Sequence, residues 1–145
     1  MGKQAGLAVG VVLTAALIAV LTASATEASA IPARIVGTWS RHVTNTDWMR
    51  AGSFNDGVGV YSIVVTANGA LAVYYPSYTQ PSLTTRISVL PEGRLTIGSM
   101  AFYQRCSGKD LYAWKVVGRL LTVTKLSDAH CPPRVALLVG TWKRK

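Results

Sequence analysis

Beyond residue 30 the apolar and β-branched residues gather in short runs separated by turn residues, the pattern of short β-strands. Arg34–Thr44 is the first such run, with Ile35, Val36, Thr38, Val43 and Thr44 around Gly37 and Trp39. Val58–Ala67 is the second, and Asn68-Gly69 gives the two-residue type I′ hairpin signal. Ala70–Tyr75 returns as a third, and Pro76 and Pro81 bound a loop. Thr85–Leu90 is the fourth, and Pro91-Glu92-Gly93 turns it into a fifth, Arg94–Tyr103. Ser107-Gly108-Lys109 leads to a sixth, Leu111–Val117, and Gly118-Arg119 to a seventh, Leu120–Leu126. Val135–Lys143 reads as the eighth. Asn45–Gly57, with Trp48, Met49, Arg50 and Phe54, reads as a loop or one to two helical turns, and Ser127–Arg134 as a turn or short 3₁₀ segment.

Eight short strands joined mostly by hairpins predict an all-β fold, an eight-stranded antiparallel up-and-down barrel, with a sandwich as the alternative. Closure removes the open edges that a flat sheet would carry, and eight strands leave an interior that is either filled or holds one small ligand. Val-Gly-Thr-Trp occurs twice, at 36–39 and 139–142, which reads as two strand ends meeting the same environment rather than as a duplication.

The start of the chain follows another rule. Lys3 precedes an apolar run, Ala5–Ala23, and Ala28 and Ala30 occupy the small positions of an A-x-A cleavage site, the three parts of a secretory signal peptide. The expected organisation is a signal peptide over 1–30, cut after Ala30, and one domain over 31–145. The run is about 19 residues long, enough to cross a bilayer if left uncut, so a membrane-anchored form is the alternative. Export places Cys106 and Cys131, the two cysteines, in an oxidising compartment where they can pair in one way within the chain. That disulfide would close a loop of about 25 residues and contribute about 3 kcal/mol.

Gly37-Thr38-Trp39 on the first strand and Lys143-Arg144-Lys145 on the last resemble the lipocalin-like, or calycin, barrels. The resemblance implies that Gly37 and Trp39 open strand one, that Trp39 plugs a barrel end, and that an arginine near the end of the last strand, Arg144 in preference to Arg134, stacks on its indole. Val36-Gly37-Thr38-Trp39 also resembles the opening of fatty-acid-binding proteins, but those are intracellular, and export favours the lipocalin side. Cys106, Tyr112-Ala113-Trp114, Gly118, Leu121-Thr122, Asp128, Cys131, Arg134 and Gly140-Thr141-Trp142-Lys143-Arg144 are similar to small secreted lipocalin-like bacterial proteins of unassigned function.

Composition narrows the chemistry. Lys+Arg number 15 against 6 Asp+Glu, a formal charge of +9, spread along the chain without a nucleic-acid-reading motif. Such a surface attracts anionic lipid headgroups or cell-wall polymers, or simply keeps the protein in solution. His42 and His130 are far apart and no metal site is expected; no cofactor is expected either. Beyond residue 30 the carboxylates Asp47, Asp56, Glu92, Asp110 and Asp128 form no close pair along the chain; Glu92 reads as a solvated turn residue and Asp128 as the cap of its turn.

The leading expectation is a secreted protein that binds a small apolar or amphipathic molecule in the barrel. Tyr61, Tyr74, Phe102, Tyr112 and Trp114 are the pool for its lining, and Trp39 and Trp142 are structural. Tyr74 and Tyr75 cannot both face inward without a bulge. The first alternative is a cofactor-free barrel cyclase or isomerase acting on a natural-product-like substrate, with its catalytic residues unassigned. The second is an interaction protein with a filled core that works through its basic exterior.

Overall fold

The computed structural model describes residues 30–53, 57–100, 106, 108–128 and 131–145. Strands β1 (Gly37–Val43), β2 (Gly59–Val65), β3 (Ala70–Tyr74), β4 (Leu83–Leu90), β5 (Arg94–Ile97), β6 (Asp110–Val117), β7 (Leu120–Ser127) and β8 (Gly140–Arg144) close into one antiparallel up-and-down barrel. Helix α1 (Asn45–Ala51) follows β1, and helix α2 (Pro132–Leu138) precedes β8. Each strand pairs with its neighbour in sequence, and the ladder Trp39↔Arg144, Ser40↔Lys143 joins last to first. This arrangement is compatible with a calycin-like fold. The proposed signal peptide and its cleavage site, together with Phe54, Asp56, Phe102 and His130, lie outside the described residues, apart from Ala30.

The inward set is the alternating one. Ile63 and Val65, Leu71 and Val73, Ile87 and Val89, Leu95 and Ile97, Tyr112 and Trp114, and Leu121 and Val123 are all buried, and the residues between them face out. Two ends follow from the register. One end carries the β2–β3, β4–β5 and β6–β7 hairpins and the carboxyl terminus. The other carries α1, α2, the β3–β4 loop and the described residues between β5 and β6.

Local chemistry accounts for the elements that alternation did not predict. The Asn45–Gly57 stretch is helical over α1 because Thr44 and Asp47 form a reciprocal capping box, and Gly52 ends the helix at φ 71°. The eighth run differs from its expected form: residues 132–138 are helix and the strand begins only at Gly140. Prolines open α2, the Cys131 sulfur accepts from the Arg134 N–H, and Ala136, Leu137 and Leu138 are all buried against the barrel end. A short, wholly apolar stretch carries no period, so the sequence pattern could not separate helix from strand there.

The first strand starts at Gly37 rather than Arg34, because Ile35 turns back on Pro32 and closes the barrel end instead of pairing. The fifth ends at Ile97. The hairpin at 66–70 is present, but its loop is three residues long. Thr66 N–H donates to Ala70 O, Gly69 N–H donates to Thr66 O, and Gly69 alone takes positive φ, 82°. Asn68 spends its side chain on the turn, with its amide oxygen 2.5 Å from Thr66 Oγ1 and 3.2 Å from the Ala70 nitrogen.

Candidate functional site

The barrel axis is occupied by protein. Trp39 and Trp142 are wholly buried, each with its indole N–H bonded four residues back, to Ile35 O at 2.9 Å and Leu138 O at 3.0 Å. Arg144 lies over the Trp39 ring, 4.3 Å from its centroid, and Arg41 over Trp142, at 5.9 Å. The Arg144 guanidinium also donates to the carbonyls of Val36 and Arg34, and that of Arg41 to those of Ala136 and Leu137. Each barrel end is therefore closed by an arginine whose donors go to the backbone of the segment covering that end. The void left between Ile35, Ile63, Leu71, Ile87, Leu121 and Leu138 is about 20 Å³. That is room for about one water, against the ~300 Å³ or more of a ligand cavity.

The expected lining residues are distributed accordingly. Tyr112 is fully buried and its hydroxyl donates to Asp128 Oδ2. Trp114 is buried, donates to Arg94 O at 3.3 Å, and lies 4.8 Å from the Arg34 guanidinium. Both pack the interior and line no cavity of ligand size. Tyr74 alternates with the inward Val73 and so faces out; Tyr75 is the one at the barrel end, 5.0 Å from Tyr61 between ring centroids. Tyr61 is buried, with its hydroxyl bonded to Gly57 O at 3.0 Å.

A buried polar cluster lies next to the Cys106–Cys131 disulfide, whose Cα atoms are 4.7 Å apart. Arg134, with no exposed surface, donates through Nε to Asp128 Oδ2 at 2.8 Å, through Nη2 to Asp110 Oδ2, and through Nη1 to Gly98 O at 2.8 Å and Gly108 O at 3.3 Å. Arg134 is thus distant in role from the indole stacking for which it was the second candidate. Asp128 accepts from the Cys131 N–H at 3.0 Å, which is the turn-capping role, and from Tyr112 and Arg134 as well. Burial pushes the Asp128 carboxyl up, but the hydrogen bonds from Arg134 and Tyr112 outweigh it and hold the group below its ordinary value. Burial, reinforced by the bond to Asp128, pushes the Tyr112 phenol well up. Both Asp128 oxygens and the Tyr112 hydroxyl are engaged within the cluster, which fastens the β5–β6 segment to the β7–α2 connection.

Open space lies at the helical end and, as a shallower depression of about 580 Å³, beside Thr85, Arg86, Ser99 and Lys109. A cleft of about 620 Å³ runs between the start of β2 and the β3–β4 loop, walled by Tyr61, Tyr75, Pro76, Tyr78, Pro81 and Ser82. Its lining holds no charged side chain among the described residues. Sequence reasoning included Tyr61 but passed over Tyr75 and Tyr78; the Pro76-to-Pro81 loop with its tyrosine was the available signal. Among the described residues no group of histidine, cysteine, aspartate or glutamate is placed to hold a metal ion.

Fold and site together define a small disulfide-linked β-barrel with a filled interior and an aromatic cleft at one end. Comparison with protein-family models, with curated proteins and with solved structures gives no match for the chain. Among the described residues no helix is long and apolar enough to cross a membrane.

Proposed function

We propose that this chain is an exported, lipocalin-like binding protein that holds a small, uncharged amphipathic molecule in the aromatic cleft at the helical end, with the filled barrel as its scaffold. The observation that carries this reading is the contrast between the two spaces, about 20 Å³ inside the barrel and about 620 Å³ in the cleft. Tyrosine and proline faces offer flat apolar walls at small entropic cost, and Ser82 and Gln80 supply polar groups that orient a ligand. Export is supported by the signal-like residues 1–30 and by a disulfide that ties the chain across 25 residues. The binding reading stands ahead of a catalytic one because the carboxylates Asp110 and Asp128 are engaged by Arg134, away from the cleft.

The test is native mass spectrometry of the exported protein, followed by titration with a panel of neutral aromatic and amphipathic probes. A retained molecule or a panel ligand is expected, and Tyr78→Ala should weaken its binding by about tenfold, since this exposed ring lines the cleft. A protein that retains nothing and binds no probe would overturn the reading, as would binding indifferent to both Tyr78→Ala and Tyr75→Ala.

A further inference from the structure

The charge of this protein is unevenly placed. Asp47, Asp110 and Asp128 all lie toward the helical end, where Arg41 and Arg134 pair with them. At the hairpin end Glu92 is the one acidic side chain among the described residues, and it faces Arg94 at 3.6 Å. Lys115, Arg119, Lys143 and Lys145 are exposed around the β6–β7 hairpin, and among the described residues no carboxylate pairs with any of them. They are held close together. Leu120 pairs with Lys143, Lys115 with Thr122, the Arg119 guanidinium donates to Arg144 O, and Lys145 N–H donates to Thr38 O.

At the tip of this basic surface are two exposed aliphatic side chains, Val117 at 59% and Leu120 at 46%, which are cross-strand partners. A soluble polyanion makes no use of them. A bilayer does: aliphatic side chains enter the acyl boundary while the surrounding cations meet the phosphates. The chain also enters the barrel from this end. Ile31 packs at the β2–β3 hairpin, where a methyl group on Gly69 would stand 3.6 Å from its Cδ1.

We infer that the hairpin end is a docking surface for an anionic phospholipid bilayer, with Val117 and Leu120 inserted and Lys115, Arg119, Lys143 and Lys145 on the headgroups. The helical end, and with it the cleft, then faces away from the membrane. The inference stands on the hairpin and does not depend on what the cleft binds.

Protein produced from the full chain is mixed with vesicles of phosphatidylglycerol and phosphatidylcholine in equal parts, and with vesicles of phosphatidylcholine alone, and sedimented. Binding to the anionic vesicles is expected, falling as salt rises. Lys143→Gln should weaken it by about fivefold, and the Val117→Ser, Leu120→Ser double variant by about tenfold or more. All three positions are exposed, so the melting temperature should stay within a few degrees of the parent and certify the fold. Absence of binding to anionic vesicles overturns the inference. So does binding that the Val117→Ser, Leu120→Ser variant retains in full, whether because an uncut amino-terminal segment holds the protein or because charge alone does, as displacement by soluble polyphosphate would then reveal.

Discussion

Gly140 leaves the space that Arg41 occupies: a methyl group at position 140 would stand 2.5 Å from Arg41 Nε. Gly37 does the same for Arg144, with 2.9 Å to Nη1. Both glycines have φ near +138°, at 137° and 139°. The recurrence in the sequence therefore reaches two positions beyond Val-Gly-Thr-Trp, to an arginine in both copies. Val36-Gly37-Thr38-Trp39-Ser40-Arg41 and Val139-Gly140-Thr141-Trp142-Lys143-Arg144 lie on antiparallel neighbours, and each arginine crosses to the tryptophan of the other strand. The two motifs form one reciprocal clasp that closes the seam between first and last strand and plugs both barrel ends.

Replacing Arg41 with alanine removes a cation over Trp142, donors to two α2 carbonyls and the partner of Asp47 at 2.6 Å. A loss of about 3 kcal/mol is expected from hydrogen bonds to a charged group and the ring contact together. Gly140→Ala should cost a similar amount through displacement of the guanidinium and backbone strain. If the clasp is shared as described, the Gly140→Ala and Arg41→Ala losses should be less than additive in urea denaturation, since the glycine exists to admit the arginine.

Acid should act on the buried cluster. The folded-state pKa of Asp128 is depressed, so the stability it contributes is complete above the ordinary aspartate value of about 3.9 and is lost as the pH falls through the lower folded-state value. Asp47, where burial is outweighed by hydrogen bonds from Thr44 and the charge of Arg41, acts in the same direction. Denaturation followed from pH 7 to pH 2 should show stability falling below about pH 4. Asp128→Asn should be about 3 kcal/mol less stable at neutral pH, because it leaves Arg134 with one anionic partner fewer in the interior, and its acid slope should be shallower.

How far these features could be read in advance depended on whether their signal was local. The strands were legible because inward Ile63, Val65, Leu71 and Val73 alternate with smaller or polar residues, and the closed barrel follows from hairpin connections. Asp128 was legible as a turn cap, a contact three residues long. Its bond to Tyr112 across 16 residues, and that of Arg134 to Asp110 across 24, depend on how distant segments meet and leave no mark in any short window. The filled interior was hidden for a related reason. Tyr112 and Trp114 look alike as core or as lining until their neighbours' volumes are placed around them.

The disulfide and the cap on α2 share one residue, so they can be separated by substitution. Cys131→Ser keeps an oxygen able to accept from Arg134 N–H where the sulfur now does, at 3.3 Å, whereas Cys131→Ala removes both the bond and the cap. Cys106→Ser and Cys131→Ser should each lose about 3 kcal/mol from the lost cross-link. Cys131→Ala should lose about 1 kcal/mol more, the usual worth of an N-cap. Guanidinium denaturation of the three variants decides it: with reductant present the parent should fall to the level of Cys131→Ser and stop there.

Core and cleft should respond in opposite ways to the removal of tyrosine chemistry. Tyr112→Phe deletes a buried hydroxyl and leaves the Asp128 carboxylate short of one donor, so a loss of about 2 kcal/mol is expected. Ligand affinity should stay within twofold, because Tyr112 is enclosed by the core and does not border the cleft. Tyr78 is 67% exposed, so Tyr78→Ala should leave the melting temperature nearly unchanged while weakening cleft binding. Measured side by side by thermal melts and titration with the same probe, the two variants form a crossed pair. The reverse pattern, with affinity lost at Tyr112 and kept at Tyr78, would place the ligand inside the barrel and require the core around Ile63, Leu71 and Leu121 to open to admit it.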